Sequence, residues 1–430
     1  MIYVIGSGPA GVAAAYALVK KGKKVVMLDA GIGLEQEKES VLKKLQQSKH
    51  WKPALLEKIK GNKNVTIKGV AKKLIYGSDY PYKEVNNHLP LEPDGVEANP
   101  SFAAGGLSSV WGAAVVPYRA DDMADWPVSL EGLAPYYTSV LDFMDMGVGA
   151  EGKDDGLQPL FPLYTRKAQH FRHSNQAGSL LRDLQENKEK LHTAGIYFGS
   201  SRLAVQFAAN KEKPGCVYCG LCLHGCPYKL IYNSAFTIAE LKKHKNFHYK
   251  KDIIVEKLAE NKDGVTISGH HRVSRKKIVF KGSQVFLACG ALTTTRIMLA
   301  SMGAYEQEIT LKDSQYYIFH LLRYHGAGDV AQEWLHSLAQ VYLEIFDKKI
   351  DEHSIHLQLY TYSDLYENVL QSMFGFSYRL LKRPLNMLKS RIIIGQGYLH
   401  SDSSQTVSVM LRKGKPDILV LRKQPNKGTE

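Results

Sequence analysis

The chain has 430 residues, 44% hydrophobic and 23% charged, an ordinary balance for a folded protein and more length than one core usually organises. Its formal net charge of +14 lies in short basic clusters such as residues 20–24 and 275–277, without the aromatic-plus-basic module that reads nucleic acid. No apolar run approaches the roughly 20 residues of a membrane helix, Met1 leads into an apolar stretch rather than a charged leader, and five cysteines do not make a secreted disulfide framework, so a cytoplasmic location is expected.

Ile2-Tyr3-Val4-Ile5 reads as a buried strand, followed by a glycine turn, a helix and a second strand within about 30 residues, the context that a bare G-x-G-x-x-G needs. Gly6 makes the tight turn, Gly8 lets backbone approach a pyrophosphate, and Gly11 lets helix pack on strand. Ser7, Pro9 and Ala10 complete the turn. The helix N-terminus behind it offers unpaired N–H groups and a positive dipole end to phosphates, while Ala13, Ala14 and Ala17 are expected to keep the helix slim against the sheet. Asp29 ends the second strand 18 positions past Gly11, near the spacing of an acid that accepts from a ribose hydroxyl. Ala30 and Gly31 extend this expected dinucleotide site.

Further on, GGLSSVWGAAVVPYR (residues 105–119) places Gly105 and Gly106 where backbone can come close or take positive φ. Ser108 and Ser109 carry hydroxyls able to donate to phosphate oxygens, and Trp111 and Gly112 follow beside apolar neighbours that argue for burial. WPVSLEGLAPYY (126–137) is a Trp-Pro segment leading into a helix. KKDIIVEKL is a strand carrying Val255. VFLACGALTTTRIMLAS (285–301) is strand, glycine turn and helix, with Ala288 and Gly290 at the strand end where α/β sheets bind ligands.

Taken in order with the N-terminal turn, these segments resemble the glucose-methanol-choline (GMC) flavin oxidoreductases over residues 1 to about 300. The resemblance implies FAD, with the glycine–serine loop along it and Val255 beside the adenine. It implies a Rossmann-like α/β domain interrupted by an α+β domain built on an antiparallel sheet. The FAD-binding domain is then expected at 1–125 and 205–305, and the substrate domain at 126–204 and 306–430.

PGCVYCGLCLHGCPYKL (214–230) holds four of the five cysteines in a C-x2-C-x2-C-x3-C-P run. Three readings compete for Cys216, Cys219, Cys222 and Cys226. Such a run holds an iron–sulfur cluster in bacterial ferredoxins, although there the fourth cysteine serves a second cluster. Structural zinc fits less well, because its ligand pairs normally sit on two knuckles. The favoured reading is a plain loop of reduced thiols. The GMC resemblance admits a cluster here too, since some flavin dehydrogenases of that family carry one in this region. NSAFTIAELKK (233–243) follows as a helix capped by Asn or Ser.

Residues 152–162 are a Gly/Pro/Asp-rich connection. SLAQVYLEIF, SIHLQLYTYS, IIIGQGYLHS and QTVSVMLRKG, between 337 and 414, carry the β-branched and aromatic residues of an antiparallel sheet. SMFGFSYRLLKRPLNMLKSR (372–391) mixes apolar with basic side chains. Such a segment can lie on an anionic membrane, but packing of its apolar side on its own sheet is the favoured expectation, with Pro384 breaking any single long helix.

The family's catalytic histidine lies near its C-terminus, and no segment here matches that region, so no catalytic residue is assigned. His325 and His400 lack a partner at recognisable spacing. The expected function is FAD-dependent oxidation of a CH–OH donor, an alcohol or sugar-like small molecule. The alternatives are an electron-transfer flavoprotein with an iron–sulfur centre, or a shortened, non-catalytic subunit that needs a partner chain.

Overall fold

The computed structural model describes residues 1–48, 51–61, 66–67, 70–71, 73–149, 156–364, 370–371 and 373–425. Residues 152–155 of the Gly/Pro/Asp-rich connection, Ser372 of the basic segment and residues 426–430 lie outside them.

The chain forms two units. The first comprises Met1–Trp111, Tyr232–Lys312 and Thr406–Pro425; the second comprises Gly112–Ile231 and Asp313–Gln405. Residues 112–125 and 205–231 therefore go with the second unit, against the boundaries expected from sequence. Thr406–Pro425 goes with the first for a physical reason. The strand Thr406–Arg412 pairs with Glu308–Lys312 and with Ile418–Gln424, which in turn pairs in parallel with Leu91–Asp94. Val409, Leu411, Leu419 and Leu421 from these strands share one buried cluster with Ala30, Ile32 and Leu299.

The first unit is organised by four parallel strands: β1 (Ile2–Ile5), β2 (Val25–Leu28), β3 (Phe247–Lys250) and β4 (Gln284–Leu287), in the order β3-β2-β1-β4. Every residue of β1 and β2 is buried, as a parallel sheet covered on both faces requires. The period-2 alternation sends Val4, Val25 and Met27 to one face, against Val12, Ala15 and Val19 of helix α1 (Pro9–Lys20) and Ile238 and Leu241 of α2 (Ser234–Leu241). Tyr3, Ile5, Val26 and Leu28 point to the other face. There they meet Ile297 of α3 (Ala291–Met302) and Val255 and Ile267 from an antiparallel three-stranded sheet. The slim contact of α1 is made by Ala15; Ala13 and Ala14 are only partly buried and Ala17 is exposed, because the 3.6-residue period runs Val12-Ala15-Val19. Each fully buried valine here contributes about 1.5–3 kcal/mol.

The second unit centres on a five-stranded antiparallel sheet in the order Tyr316–Leu322, Ile392–Tyr398, Ile355–Tyr360, Val341–Ile345, Ile196–Ser200. Three of the apolar runs read from sequence supply Val341–Ile345, Ile355–Tyr360 and Ile392–Tyr398; the fourth, QTVSVMLRKG, supplies Thr406–Arg412 of the first unit, and the two edge strands were not read from sequence. Helix Asn175–Glu186, capped by the Ser174 hydroxyl accepting from Ala177 N, buries Ala177 against Val341, Leu359 and Ile393. Ser129 caps the helix after the Trp-Pro segment, Leu130–Val140, in the same way.

Among the described residues no helix is long and apolar enough to cross a membrane. Residues 373–391 form a 3-10 turn, Gly375–Tyr378, and a short helix, Lys382–Lys389, that admits Pro384 in its first turn; Leu385 is buried, Phe374, Leu381 and Leu388 are partly buried, and Met373, Phe376, Leu380 and Met387 are exposed.

Candidate functional site

A cavity of about 430 Å³ opens in the first unit at the C-terminal ends of β1, β2 and β4. β1 is the point where strand order turns, with β2 and β3 on one side and β4 on the other. Open α/β sheets bind ligands at such a crevice.

The glycines of the first turn divide into two kinds. Gly6 has φ +95°, and a Cβ there would sit 2.4 Å from Ala288 O. A Cβ on Gly11 would sit 2.0 Å from Gly6 O. Both are glycines because strand, turn and helix touch at those points. Gly8 differs: a Cβ there meets nothing within 4 Å, since it would project into open space. Gly8 also caps α1 without a side-chain hydrogen bond, with Pro9 in the first turn. The helix thus starts at the cavity wall and leaves first-turn amides for a ligand.

Ser7 joins three segments. Its hydroxyl donates to Asp29 Oδ2 at 2.7 Å and accepts from Gly105 N at 2.9 Å. Tyr249 Oη donates to the same Asp29 oxygen at 2.7 Å. Burial pushes the Asp29 carboxyl up to about 6, opposed by the hydrogen bonds from Tyr249 and Ser7.

Gly105 and Gly106 both have positive φ, and a Cβ on Gly106 would lie 3.3 Å from Gly8 Cα, so the two glycine loops meet backbone to backbone. Ser108 Oγ donates to Gly105 O at 2.6 Å and Ser109 Oγ to Gly106 O at 2.8 Å. Ser234, at the start of α2, donates its N–H to Ser108 Oγ and its hydroxyl to Ser7 O, each at 2.9 Å. The two loop hydroxyls therefore brace their own turn. The Trp111 indole N–H donates to Tyr232 O at 2.8 Å, away from the cavity, and Gly112 begins the second unit.

Of the residues expected to hold a cofactor, Gly6, Ser7, Gly8, Pro9, Ala10, Asp29, Ala30, Gly106, Val255, Ala288 and Gly290 line the cavity. Gly11, Gly31, Gly105, Ser108, Ser109, Trp111 and Gly112 are not in its lining. Gly31 faces Tyr249 and Lys251, where a Cβ would come within 2.9 Å of each. Sequence reasoning missed the strip Asn99, Pro100, Ser101, Phe102 and Ala103, which forms one wall. Ile32 N donates to Phe102 O at 3.0 Å and Ala104 N to Ile32 O at 2.9 Å, so only tertiary pairing brings it there. Cys289 also lines the cavity, its thiol donating to Ile5 O at 3.3 Å and burial pushing it up to about 12. Its place between Ala288 and Gly290 was the available signal.

In the second unit the four cysteines of the run form no disulfide and are partly buried. Tyr218 N donates to Cys216 Sγ at 3.4 Å. Burial pushes Cys216 up to about 12 and Cys226 up to about 11, with the neighbouring Cys222 adding like-charge repulsion to both. Cys219 moves up for the same two reasons. Among the described residues the one compact group of ligand atoms, all within 4.8 Å, is His353, His400 and Asp402, so no three of these sulfurs approach as a mononuclear zinc site requires. His400 stacks on His353 with ring centroids 3.8 Å apart, and His325 is exposed.

Residues 4–34 match the family model of an NAD(P)-binding Rossmann-like domain. The fold is that of pyridoxine 4-oxidase from Mesorbium loti, which aligns over 100% of this chain and 76% of its own at 11% identity, with a TM-score of 0.54. An alignment with p-nitrophenol 4-monooxygenase PnpA from Pseudomonas putida DLL-E4 covers 99% of this chain and 73% of that one at 12% identity, but its TM-score of 0.29 carries no structural argument. No curated protein matches the chain in sequence.

Proposed function

We propose that this chain is an FAD-dependent oxidoreductase of the GMC kind, acting on the CH–OH group of an alcohol or sugar-like small molecule. The observation that carries the reading is the cradle at the end of β1, where Gly8 and Gly106 present bare backbone to the cavity and any side chain on Gly8 would enter it. The fold shared with pyridoxine 4-oxidase supports a flavin over a nicotinamide.

The residues present fit FAD. Gly8, Ala10 and the first turn of α1 would hold the pyrophosphate, with the helix dipole opposing its charge. Asp29, fixed by Ser7 and Tyr249, would accept from a ribose hydroxyl. Val255 and Ile254, both buried beside the cavity, would pack on the adenine and exclude water. When bound, FAD supplies a hydride acceptor for the carbinol carbon. Protein purified without added flavin is expected to show oxidised flavin absorbance, and Gly8→Val to abolish it. Colourless protein that binds NAD instead would overturn the assignment.

A second reading concerns Cys216, Cys219, Cys222 and Cys226 as ligands of an iron–sulfur centre. What favours it is the placing of all four sulfurs, partly buried, on one loop in a C-x2-C-x2-C-x3-C-P run. Anaerobically purified protein would then contain iron and acid-labile sulfide in comparable amounts, and Cys219→Ser would lose both while keeping flavin. Iron-free protein prepared with adequate iron returns the run to plain reduced thiols.

A further inference from the structure

We propose that the face formed by residues 373–391 docks this protein on an anionic lipid bilayer surface. Phe376 is 100% exposed, Leu380 86%, Met373 72% and Met387 60%, in a segment whose remaining composition is strongly basic. Arg379, Lys382 and Arg383 are exposed among them, and no acidic residue occurs from 373 to 391. Stable folds do not leave such side chains in water when they can be turned inward, and here the inward side is already fixed. Leu385 and Lys389 are buried, Gln176 Nε2 donates to Lys389 O at 3.0 Å, and the Lys389 ammonium lies over the Tyr362 ring at 5.9 Å. These anchors hold Phe376 and Leu380 outward.

The patch continues past the helix. Arg323 N donates to Arg391 O at 3.0 Å and Ala327 N to Ser390 O at 3.2 Å, which sets Tyr324, 93% exposed, and Leu322, 66% exposed, alongside the end of the segment. Four large apolar side chains exposed within one short basic segment mark an interaction site rather than a scattered surface residue.

Charge complementarity selects the occupant. A second copy would set Arg379, Lys382 and Arg383 against the same cations across a two-fold interface. An anionic bilayer offers what the patch lacks on both counts: phosphates for the guanidinium and ammonium groups, and acyl chains for Phe376, Leu380 and Met387. Short amphipathic segments with basic flanks lie in the headgroup boundary in this way.

Co-sedimentation of the full chain with vesicles tests this. Binding is expected to vesicles of phosphatidylcholine plus phosphatidylglycerol, weakly or not at all to phosphatidylcholine alone, and is expected to fall with added salt. Phe376→Glu with Leu380→Glu should lower the bound fraction at least about tenfold with the melting temperature unchanged, since both side chains are solvated in the free protein. Arg379→Ala, Lys382→Ala and Arg383→Ala together should remove the preference for anionic vesicles. Absence of binding to anionic vesicles, or binding untouched by the Phe376 and Leu380 substitutions, would overturn the proposal. So would a dimer, seen by sedimentation velocity, that those two substitutions dissociate.

Discussion

Ser7 Oγ donates to Asp29 Oδ2 at 2.7 Å while accepting from Gly105 N at 2.9 Å. One hydroxyl thus ties the first glycine turn to the end of β2 and to a loop nearly a hundred residues away. Ser7→Ala leaves the buried Gly105 amide without its acceptor, and such an orphan costs about 1–3 kcal/mol. Chemical denaturation should show that loss, and cofactor retention should fall with it. Ser7→Thr keeps the hydroxyl and should recover part of both.

Asp29 makes stability depend on pH. Its folded carboxyl is raised by burial to about 6 from an ordinary 3.8. The folded state therefore holds the proton more tightly, so stability declines as pH rises from about 4 to about 6 and is level above that. The amide of an Asp29→Asn variant cannot titrate, yet its carbonyl oxygen still accepts from Ser7 and Tyr249. Urea melts of that variant should lose the slope across this window, while flavin is held less tightly because the charged acceptor is gone. A slope that survives in the variant would assign it to another group.

Gly8 and Gly11 separate binding from folding. A Cβ on Gly11 would lie 2.0 Å from Gly6 O, so Gly11→Ala forces helix and turn apart at a cost of about 1–3 kcal/mol. A Cβ on Gly8 meets nothing within 4 Å, so Gly8→Val should melt near the wild type with flavin stripped. Thermal melts of both variants, with bound flavin measured in each, give the comparison. Equal destabilisation would remove Gly8 from the role of a ligand contact.

His336 provides a pH dependence of opposite sign in the second unit. It is buried against Phe171, Phe207 and Tyr218, and both its ring nitrogens lack a hydrogen-bond partner among the described residues. Burial depresses it to about 3, with His173 adding repulsion. The unfolded chain then binds the proton more readily below about 6.5, and stability falls as pH drops through that window. At pH 5 the loss is about 2 kcal/mol. His336→Phe should flatten the acid limb of the stability curve, measured by denaturant melts from pH 7 to pH 5, without lowering stability at pH 7.

The nucleotide turn, the βαβ unit around it, the three central strands of the second unit's sheet and the acid at the end of β2 were all legible in the order of the residues. These features are local: a glycine that must accept a touching backbone, or an apolar run buried on both faces, leaves its mark within a few residues. What Ser7, Ser108 and Ser234 do was settled by tertiary packing, because each hydroxyl had several acceptors open to it and the ones it found lie up to 227 residues away. The same holds for the Asn99 to Ala103 wall, placed by its pairing with Ile32, and for Thr406–Pro425, drawn into the first unit by pairing with Glu308–Lys312 and Leu91–Asp94. Residues 373–391 show the limit most plainly. Their amphipathic pattern says that an apolar side exists, but which side is anchored depends on Gln176 and Tyr362, some two hundred residues and some thirty residues away in sequence.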